Sequence, residues 1–217
     1  IGLISRSLMQ NSVSAPQIGG IVKMTRFILR GTFSIELFGA ILLAIYFCPK
    51  YGLGKGIWFS IFHSISAFCN AGFDLMGTAE PFSSLTAQVG NWYVNLIIMS
   101  LIVVGGLGFF VWRDILNTRL HFTKMQLHTK LVLTVTAFLI ISGSVLLFLF
   151  EHGTASFEGL TLSEQIAASS FQSVSARTAG FNTIDLAALT ESGRFLIIIL
   201  MFIGASPGST AGGIKTT

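Results

Sequence analysis

Two short segments of this sequence carry the same arrangement of serine, alanine, glycine and phenylalanine. The first is Phe62-His-Ser-Ile-Ser-Ala-Phe-Cys-Asn-Ala-Gly-Phe73, and the second is Phe171-Gln-Ser-Val-Ser-Ala-Arg-Thr-Ala-Gly-Phe181. Their serines align at a constant spacing, and their Ala-Gly-Phe triplets align after the loss of a single residue. A repeat of this kind indicates one structural unit used twice.

Each repeated segment ends in a glycine turn that could coordinate a cation through its backbone. Extended backbone can aim successive carbonyl oxygens at an ion and replace its hydration shell. Gly72 and Gly180 suit such a turn because glycine adopts backbone angles closed to other residues. A simpler interpretation, a glycine that only caps a helix, is weakened by its duplication. We call the candidate ion-coordinating residues the first filter turn (Asn70, Ala71, Gly72, Phe73) and the second filter turn (Thr178, Ala179, Gly180, Phe181).

A short, half-apolar helix is predicted before each filter turn, over residues 57–68 and 163–176. Neither can cross a bilayer, which takes about 20 apolar residues. A helix that stops halfway presents unpaired carbonyls and the negative end of its dipole, which attracts cations. Non-helical backbone at membrane depth survives only where it is buried in protein or lines a water-filled cavity. The sequence therefore predicts two re-entrant pore helices that face a cavity.

The composition places the chain in a membrane. Only 10% of its residues are charged, 52% are hydrophobic, and the mean hydropathy is +0.77. A soluble domain carries about 25% charged residues. The net charge of +4 is too small a surplus to indicate nucleic-acid binding. Membrane spans are predicted at Phe27–Cys48, Trp92–Trp112, Leu131–Phe150 and from Phe195 onward, with the two tryptophans as interfacial anchors.

The distribution of charge predicts the topology. The loop over residues 113–130 contains Arg113, Arg119, Lys124 and Lys130 against the single acid Asp114, so it is predicted to be cytoplasmic. Residues 1–24 are interpreted as a linker or interfacial segment. The fold class is then an all-α membrane protein with two span–pore-helix–span repeats, over residues 25–112 and 131–217.

A glycine-rich break interrupts the last apolar run before it could cross the membrane. A phosphate-binding loop is disfavoured because Ile214 separates Gly213 from Lys215, where that motif needs them adjacent. A structural kink remains open. The favoured interpretation is a flexible intramembrane gating loop below the filter turns. We call this segment the intramembrane loop; it consists of Gly204, Ala205, Ser206, Pro207, Gly208, Ser209, Thr210, Ala211, Gly212 and Gly213.

Other polar residues yield weaker predictions. Glu36 and Arg177 are predicted to be buried charges, and Arg177 could pair with a carboxylate such as Glu36. Asp74 and Asp185 follow the filter turns and could concentrate cations at the mouth, although ordinary solvated acids are as plausible. Cys48 and Cys69 are expected to be small buried residues. No convergent catalytic set or metal-ligand pattern is found, so the chain is not expected to be an enzyme.

These motifs resemble the Trk/Ktr/HKT superfamily of potassium and sodium transporters, most closely the Ktr-type membrane subunit of bacteria. The resemblance rests on Phe62–Phe73, Phe171–Asp185, Gly105–Asp114 and, above all, Gly204–Thr217. It implies a potassium-channel-like pore of four repeats, of which this chain holds the second and third. It also implies that Gly72 and Gly180 are filter glycines and that residues 204–213 are the gating loop.

The resemblance further implies a homodimer in the cell membrane and a cytoplasmic nucleotide-binding regulatory subunit that acts on the intramembrane loop. The first and fourth repeats are missing, so the chain is expected to be a fragment with half a filter. The predicted function is potassium uptake, with bound K⁺, or Na⁺, as its only ligand. The alternatives are a sodium-preferring transporter of the same fold and a membrane-embedded enzyme or scaffold whose cavity does not serve ions.

Overall fold

The computed structural model describes residues 21–77 and 83–216. Their regular structure is helical, and the only β-type pairing among them is an isolated bridge between Ile203 and Ile214. The all-α prediction is confirmed. The α-helices are α1 (Ile21–Tyr51), α2 (Leu53–Phe68), α3 (Trp92–Leu107), α4 (Phe109–Thr118), α5 (Leu127–Glu151), α6 (Leu162–Ala176) and α7 (Glu191–Phe202). Short 3-10 helices lie at Thr86–Gln88, Phe122–Lys124, Ala155–Phe157 and Leu186–Ala188.

Two of the described helices are long and apolar enough to cross a membrane individually, over Val22–Tyr51 and Leu127–Glu151. Both extend beyond the predicted spans Phe27–Cys48 and Leu131–Phe150, because charged side chains at helix ends can reach the headgroups and need not end the helix. Of the predicted linker over residues 1–24, residues 21–24 belong to α1, and residues 1–20 lie outside the described part of the chain.

Helices are present at both positions predicted for pore helices, with one difference in length. Helix α6 spans Leu162–Ala176, close to the predicted 163–176. Helix α2 begins at Leu53 rather than at residue 57. Only Gly52 separates it from α1, and this glycine has φ +82°, a value that lets the chain reverse with almost no loop.

The predicted span Trp92–Trp112 is wrong as a single helix. It breaks at Gly108, and α3 and α4 meet at a bend of 95°. Residues 113–118, which were predicted to be loop, lie in α4. Trp112 is not an interfacial anchor: it is buried, and its Nε1 donates to the Val104 carbonyl at 2.9 Å.

The break at Gly108 follows from a contact with the intramembrane loop. Gly108 has φ +93°, and a Cβ there would lie 2.6 Å from Ser206 Oγ and 2.7 Å from the Pro207 carbonyl oxygen. The first amide of α4, at Phe109, donates to the Gly208 carbonyl at 2.8 Å. The intramembrane loop, about a hundred residues away in sequence, thus supplies the carbonyl that the Phe109 amide lacks where the helix breaks.

The final helix is too short to cross the membrane. Helix α7 has 12 residues, about 18 Å at the helical rise. The chain leaves the helix at Ile203 and continues as the non-helical intramembrane loop. The sequence prediction of an apolar run that stops before crossing agrees with this geometry.

The repeats pack through their pore helices. Helix α2 packs against α1 and α3, α6 packs against α5 and α7, and α3 also contacts α6 and so joins the two repeats. Four phenylalanines, two from each repeat, are completely buried in this core: Phe47, Phe68, Phe171 and Phe181. Phe68 and Phe171 come from the pore helices, so the re-entrant elements lie at the centre of the molecule.

A buried carboxylate joins the ends of two helices in the second repeat. Glu151, the last residue of α5, has no exposed surface. Its carboxylate accepts hydrogen bonds from Ser156 Oγ at 2.7 Å, Thr154 Oγ1 at 3.1 Å and Thr190 Oγ1 at 2.7 Å. Thr190 is the N-cap of α7, and its backbone amide also donates to Glu151. The hydrogen bonds and the positive end of the α7 dipole compensate the buried charge.

Glu151→Ala is expected to destabilise the protein by about 2–4 kcal/mol, because several buried donors lose their acceptor and a cavity is left. Thermal unfolding in detergent should begin several degrees lower for this variant. Glu151→Gln keeps the shape and one acceptor oxygen, so its loss should be smaller. Identical melting of Glu151→Ala and the unaltered protein would contradict this assignment.

Candidate functional site

The two filter turns lie side by side. A Cβ built on Gly72 would overlap the carbonyl oxygen of Ala179 and would lie 3.0 Å from Gly180 Cα. A Cβ on Gly180 would lie 3.6 Å from Gly72 Cα. The structure therefore brings together the two glycines that the sequence repeat singled out. At position 72, only a residue without a side chain allows the two backbones to approach this closely.

The filter turns also share an uncommon backbone conformation. Asn70 and Gly72 have φ values of +52° and +71°, and the equivalent Thr178 and Gly180 have +79° and +95°. Asparagine tolerates the left-handed region, whereas a β-branched residue such as threonine is strained there by about 1–3 kcal/mol. Such strain persists only where the surroundings hold the backbone, and it is typical of ligand sites.

Matching serines hold the outer end of each turn. Ser66 Oγ donates to the Phe73 carbonyl at 2.6 Å, and Ser175 Oγ donates to the Phe181 carbonyl. The carbonyl of Ser66 accepts from the Ala71 amide at 2.9 Å, and that of Ser175 accepts from the amides of Ala179 and Gly180. Each turn is therefore folded back onto the last turn of its own pore helix.

The remaining carbonyls of the turns are available to an ion. Across residues 21–77 and 83–216, no group donates a hydrogen bond to the carbonyl oxygens of residues 70–72 or 178–180. Backbone carbonyls are strong acceptors that are almost always paired with protein, water or ligand. Unpaired oxygens at two adjacent glycine turns, each after a helix C-terminus, form an environment suited to a cation.

We expect the hydrogen bonds from Ser66 and Ser175 to the filter turns to affect the discrimination between potassium and sodium. Ser175→Ala removes the hydroxyl that fixes the Phe181 carbonyl, a contribution of about 1 kcal/mol. In the full-length protein, the ratio of potassium to sodium uptake into liposomes should fall several-fold. Ser169→Ala is the matched control, because Ser169 Oγ bonds only within α6, to the Gln165 carbonyl at 2.8 Å. Equal ratios of potassium to sodium uptake for Ser175→Ala and Ser169→Ala would contradict this role of Ser175.

A second pair of repeated serines attaches each pore helix to the preceding span. Ser64 Oγ donates to the Glu36 carbonyl at 2.7 Å, and Ser173 Oγ donates to the Ile140 carbonyl at 3.0 Å. Both hydroxyls lie against a glycine of the span, Gly39 or Gly143, where a side chain would collide with them. The repeated Ser-x-Ser pattern thus has a physical basis that the sequence did not reveal: one serine contacts the span and the other contacts the filter turn.

His63 is a further residue whose role the sequence did not indicate. Its ring is fully buried, its Nδ1 lies 2.7 Å from the Phe59 carbonyl, and its Nε2 accepts from the Leu75 amide at 3.4 Å. These bonds require a neutral ring with the proton on Nδ1. The ring centroid lies 6.5 Å from that of Phe181. His63 therefore supports the backbone after the first filter turn and contacts the second.

The predicted pairing of Arg177 with Glu36 is wrong. Arg177 is buried and its Nη2 donates to the Gly204 carbonyl at 3.4 Å. Glu36 is half-buried and accepts a weak hydrogen bond from Cys69 Sγ at 3.8 Å. Within the described residues no carboxylate forms an ion pair with Arg177. Arg177 is thus buried and Glu36 half-buried, and the two side chains have different partners.

The acids and cysteines near the turns also differ in part from expectation. Asp74 accepts from the Met76 amide at 2.9 Å and Asp185 from the Ala187 amide at 2.8 Å, so each carboxylate orders the chain after its turn. A role at the pore mouth stays a prediction.

The expectation of two buried cysteines is wrong, because Cys48 is only half-buried and Cys69 is exposed.

Helix α6 begins with a capping box. The Thr161 hydroxyl accepts from the Glu164 amide, and the Glu164 carboxylate accepts from the Thr161 amide at 2.8 Å. The hydrogen bonds from the backbone amide and the hydroxyl of Thr161 lower the pKa of Glu164. Its contribution to stability is therefore present above the unfolded pKa and is lost as the pH falls through the lower, folded value.

The intramembrane loop lies between α3 and the filter turns. The amides of Ser206 and Thr210 donate to the carbonyls of Gly106 and Gly105 at 3.2 and 3.3 Å. Thr210 Oγ1 donates to the Phe68 carbonyl at 2.8 Å. The ends of the loop meet, since the Gly204 amide donates to the Ile214 carbonyl at 2.9 Å. Its glycine-rich sequence thus forms a closed loop directly beneath the end of α2.

Two helices long and apolar enough to cross a membrane, a short buried helix in each repeat and paired glycine turns are typical of membrane proteins of the cation-pore class. A family model described as TrkH, cation transport protein, matches residues 3–217. The chain belongs to this family. Its members are transporters and not enzymes, so the expectation of a non-enzymatic membrane protein is confirmed.

Curated relatives match the chain over its whole length. It is 42% identical to the potassium/sodium uptake protein NtpJ of Enterococcus hirae and covers 47% of that protein. It is 40% identical to the Ktr system potassium uptake protein B of Bacillus subtilis and covers 48% of it. The chain therefore spans about half the length of the curated relatives it matches.

A solved structure supports the fold. The potassium transporter TrkH from Vibrio parahaemolyticus matches 98% of this chain with a TM-score of 0.72 at 18% sequence identity, and the match covers 42% of that protein. At this identity the likeness concerns the fold alone. The predicted resemblance to the Trk/Ktr/HKT superfamily and the predicted all-α membrane-protein fold are both confirmed.

Proposed function

We propose that this chain is the central half of a potassium uptake subunit, the second and third of four repeats around one pore. The observation that carries the proposal is the contact between Gly72 and Gly180, which aligns two turns of matched conformation with unpaired carbonyls. Residues 70–72 and 178–180 would supply half of the oxygens that replace the hydration shell of K⁺.

The exposed surface of the first repeat supports further repeats around this axis. Phe73 in the first filter turn is 70% exposed, and the side of α2 beside it exposes Ile57, Trp58, Ile61 and Ile65. Helix α6 is almost completely buried over its second half. In the intact subunit, a neighbouring repeat is the proposed cover of Phe73 and of this apolar side of α2.

The intramembrane loop is proposed to be the gate. It is non-helical, lies beneath the filter turns and bears three hydroxyls, on Ser206, Ser209 and Thr210. Residues 113–130 are proposed to face the cytoplasm, where a nucleotide-binding regulatory subunit would act on the loop. A homodimer of the full-length subunit is proposed on the basis of the family.

Transport by the full-length protein, reconstituted in liposomes, tests the proposal. We expect uptake of rubidium, a potassium analogue, that external potassium suppresses more strongly than sodium does. Suppression by sodium that equals or exceeds suppression by potassium would favour the alternative of a sodium-preferring transporter of the same fold; the Enterococcus hirae relative is a potassium/sodium uptake protein. Absence of any cation uptake by correctly folded protein would reject the proposed function.

A further inference from the structure

The intramembrane loop is bonded to the start of both filter turns. Thr210 Oγ1 donates to the Phe68 carbonyl at 2.8 Å and accepts from Asn70 Nδ2 at 3.1 Å. Asn70 is the first residue of the first filter turn. On the other side, Arg177, which directly precedes the second filter turn, donates from Nη2 to the Gly204 carbonyl at 3.4 Å. The first contact is made by Thr210, in the second half of the loop, and the second is made by Gly204, its first residue.

One residue from each contact, Asn70 or Arg177, borders the same small cavity. Asn70, Arg177 and Ala205 line a space of about 20 Å³, together with Thr136 of α5 and Gly106 of α3. That volume is enough for one water molecule. Arg177 Nε is a buried donor that has no hydrogen-bond partner among the described residues. Asn70 of the first filter turn, Arg177 before the second filter turn and Ala205 of the loop thus border one small space, whose other walls are mostly apolar.

We propose that Asn70, Thr210 and Arg177 are positioning residues that fasten the intramembrane loop to both filter turns. The inference rests on the proposed function, because it assigns a consequence to movement of the gate. The loop cannot leave its position without releasing the Asn70 side chain and the Phe68 carbonyl on one side and the Arg177 guanidinium on the other. Opening the gate therefore relaxes the backbone that coordinates the ion, and an ion bound in the filter favours the closed loop.

The direction of the coupling follows from the backbone conformation. Asn70 holds φ +52° and Thr178, which follows Arg177, holds φ +79°. Residues in this region need outside contacts to stay there. Loss of either contact should therefore widen the range of carbonyl positions in that turn. A filter whose carbonyl oxygens are held less firmly in position discriminates less well between K⁺ and the smaller Na⁺.

Thr210→Val tests the first contact, because it removes the hydroxyl and keeps the shape of the side chain. In the full-length protein in liposomes, we expect basal rubidium uptake to rise and the ratio of sodium to potassium uptake to rise by about tenfold, the effect of one well-formed hydrogen bond. Thr210→Ser keeps the hydroxyl and should behave as the unaltered protein. Ser209→Ala removes a hydroxyl that bonds only within the loop, to the Ser206 carbonyl at 2.7 Å, and should leave the ratio unchanged.

Arg177→Met tests the second contact in two backgrounds. In the otherwise unaltered protein it should raise the sodium to potassium ratio. In a protein that lacks residues 204–213, the same substitution should add little, because the Gly204 carbonyl that Arg177 binds is gone together with the loop. An equal effect in both backgrounds would show that Arg177 acts on the filter without the loop and would overturn the proposal.

The outcomes separate this inference from the proposed function. If the unaltered protein transports no cation, the proposed function fails. If it transports potassium but Thr210→Val and Ser209→Ala give the same ratio of sodium to potassium uptake, the proposed function is supported and the proposed positioning role of Thr210 is wrong. A rise in rubidium uptake with an unchanged ion ratio would also overturn the inference, since the loop would then gate without affecting the filter.

Discussion

Gly72→Ala is expected to abolish potassium uptake, whereas Gly180→Ala is expected to reduce it only about tenfold. Both glycines have positive φ values, +71° and +95°, so alanine is strained at either position. The difference lies in the space around them. A Cβ at position 72 would overlap the Ala179 carbonyl oxygen, which belongs to the opposite filter turn. At position 180 the nearest atom would be Gly72 Cα at 3.6 Å, an ordinary contact distance.

The clash at position 72 cannot be relieved by a rotamer change, because the atom it meets is backbone. Either turn would have to move, and the carbonyls that face the ion would move with it. Growth of a potassium-uptake-deficient host at low potassium and rubidium uptake by the purified full-length protein measure the effect. Gly153→Ala is a matched control, since Gly153 has φ +80° but no atom within 4 Å of its Cβ position. Uptake by Gly72→Ala equal to that of Gly180→Ala would contradict the asymmetry.

Deletion of residues 205–212 is expected to raise cation flux at least tenfold while the protein still folds. The ends of the deleted segment are already in contact, because a Cβ on Gly204 would lie 2.6 Å from Gly213 Cα. Ile203 and Ile214 are also paired by a β-bridge. Removing the segment therefore joins chain ends that are neighbours and eliminates Ser206 and Thr210, which occupy the space beneath the filter turns.

Flux through the deletion variant should be measured in liposomes beside Ser209→Ala, which leaves the loop in place. Size-exclusion elution of both variants as single peaks would establish that the comparison concerns folded protein. Flux unchanged by the deletion would reject the gating role and favour the structural kink. Lower flux would indicate that the loop supports the filter turns rather than closing the path.

The sequence predicted the positions of the two short helices and of the glycine-rich break because their signals are local. The helix predicted over residues 163–176 differs from the observed α6, Leu162–Ala176, by one residue at its start. The glycine-rich composition of residues 204–213 likewise excludes a regular helix by itself. The predicted end of the span at Trp112 failed because its apolar pattern continues through the break at Gly108.

The partners of Arg177 and Glu151 could not be predicted, since the atoms that satisfy them are distant in sequence. A buried charged side chain needs compensating partners, but its residue type does not show which groups will supply them. Arg177 uses the Gly204 carbonyl, and Glu151 uses hydroxyls and the amide at the start of α7.

By itself, the sequence determined a membrane protein built from a repeated unit, with Gly72 and Gly180 at equivalent turns. Composition, helical length and duplication suffice for that conclusion, because each depends on residues near one another in the chain. Only the tertiary structure decided that these turns touch, that repeated serines hold their outer ends, and that the intramembrane loop is hydrogen-bonded to Asn70 and to Arg177, which precedes the second turn. Those features depend on where individual backbone atoms lie in space, and backbone position leaves no signature in residue type.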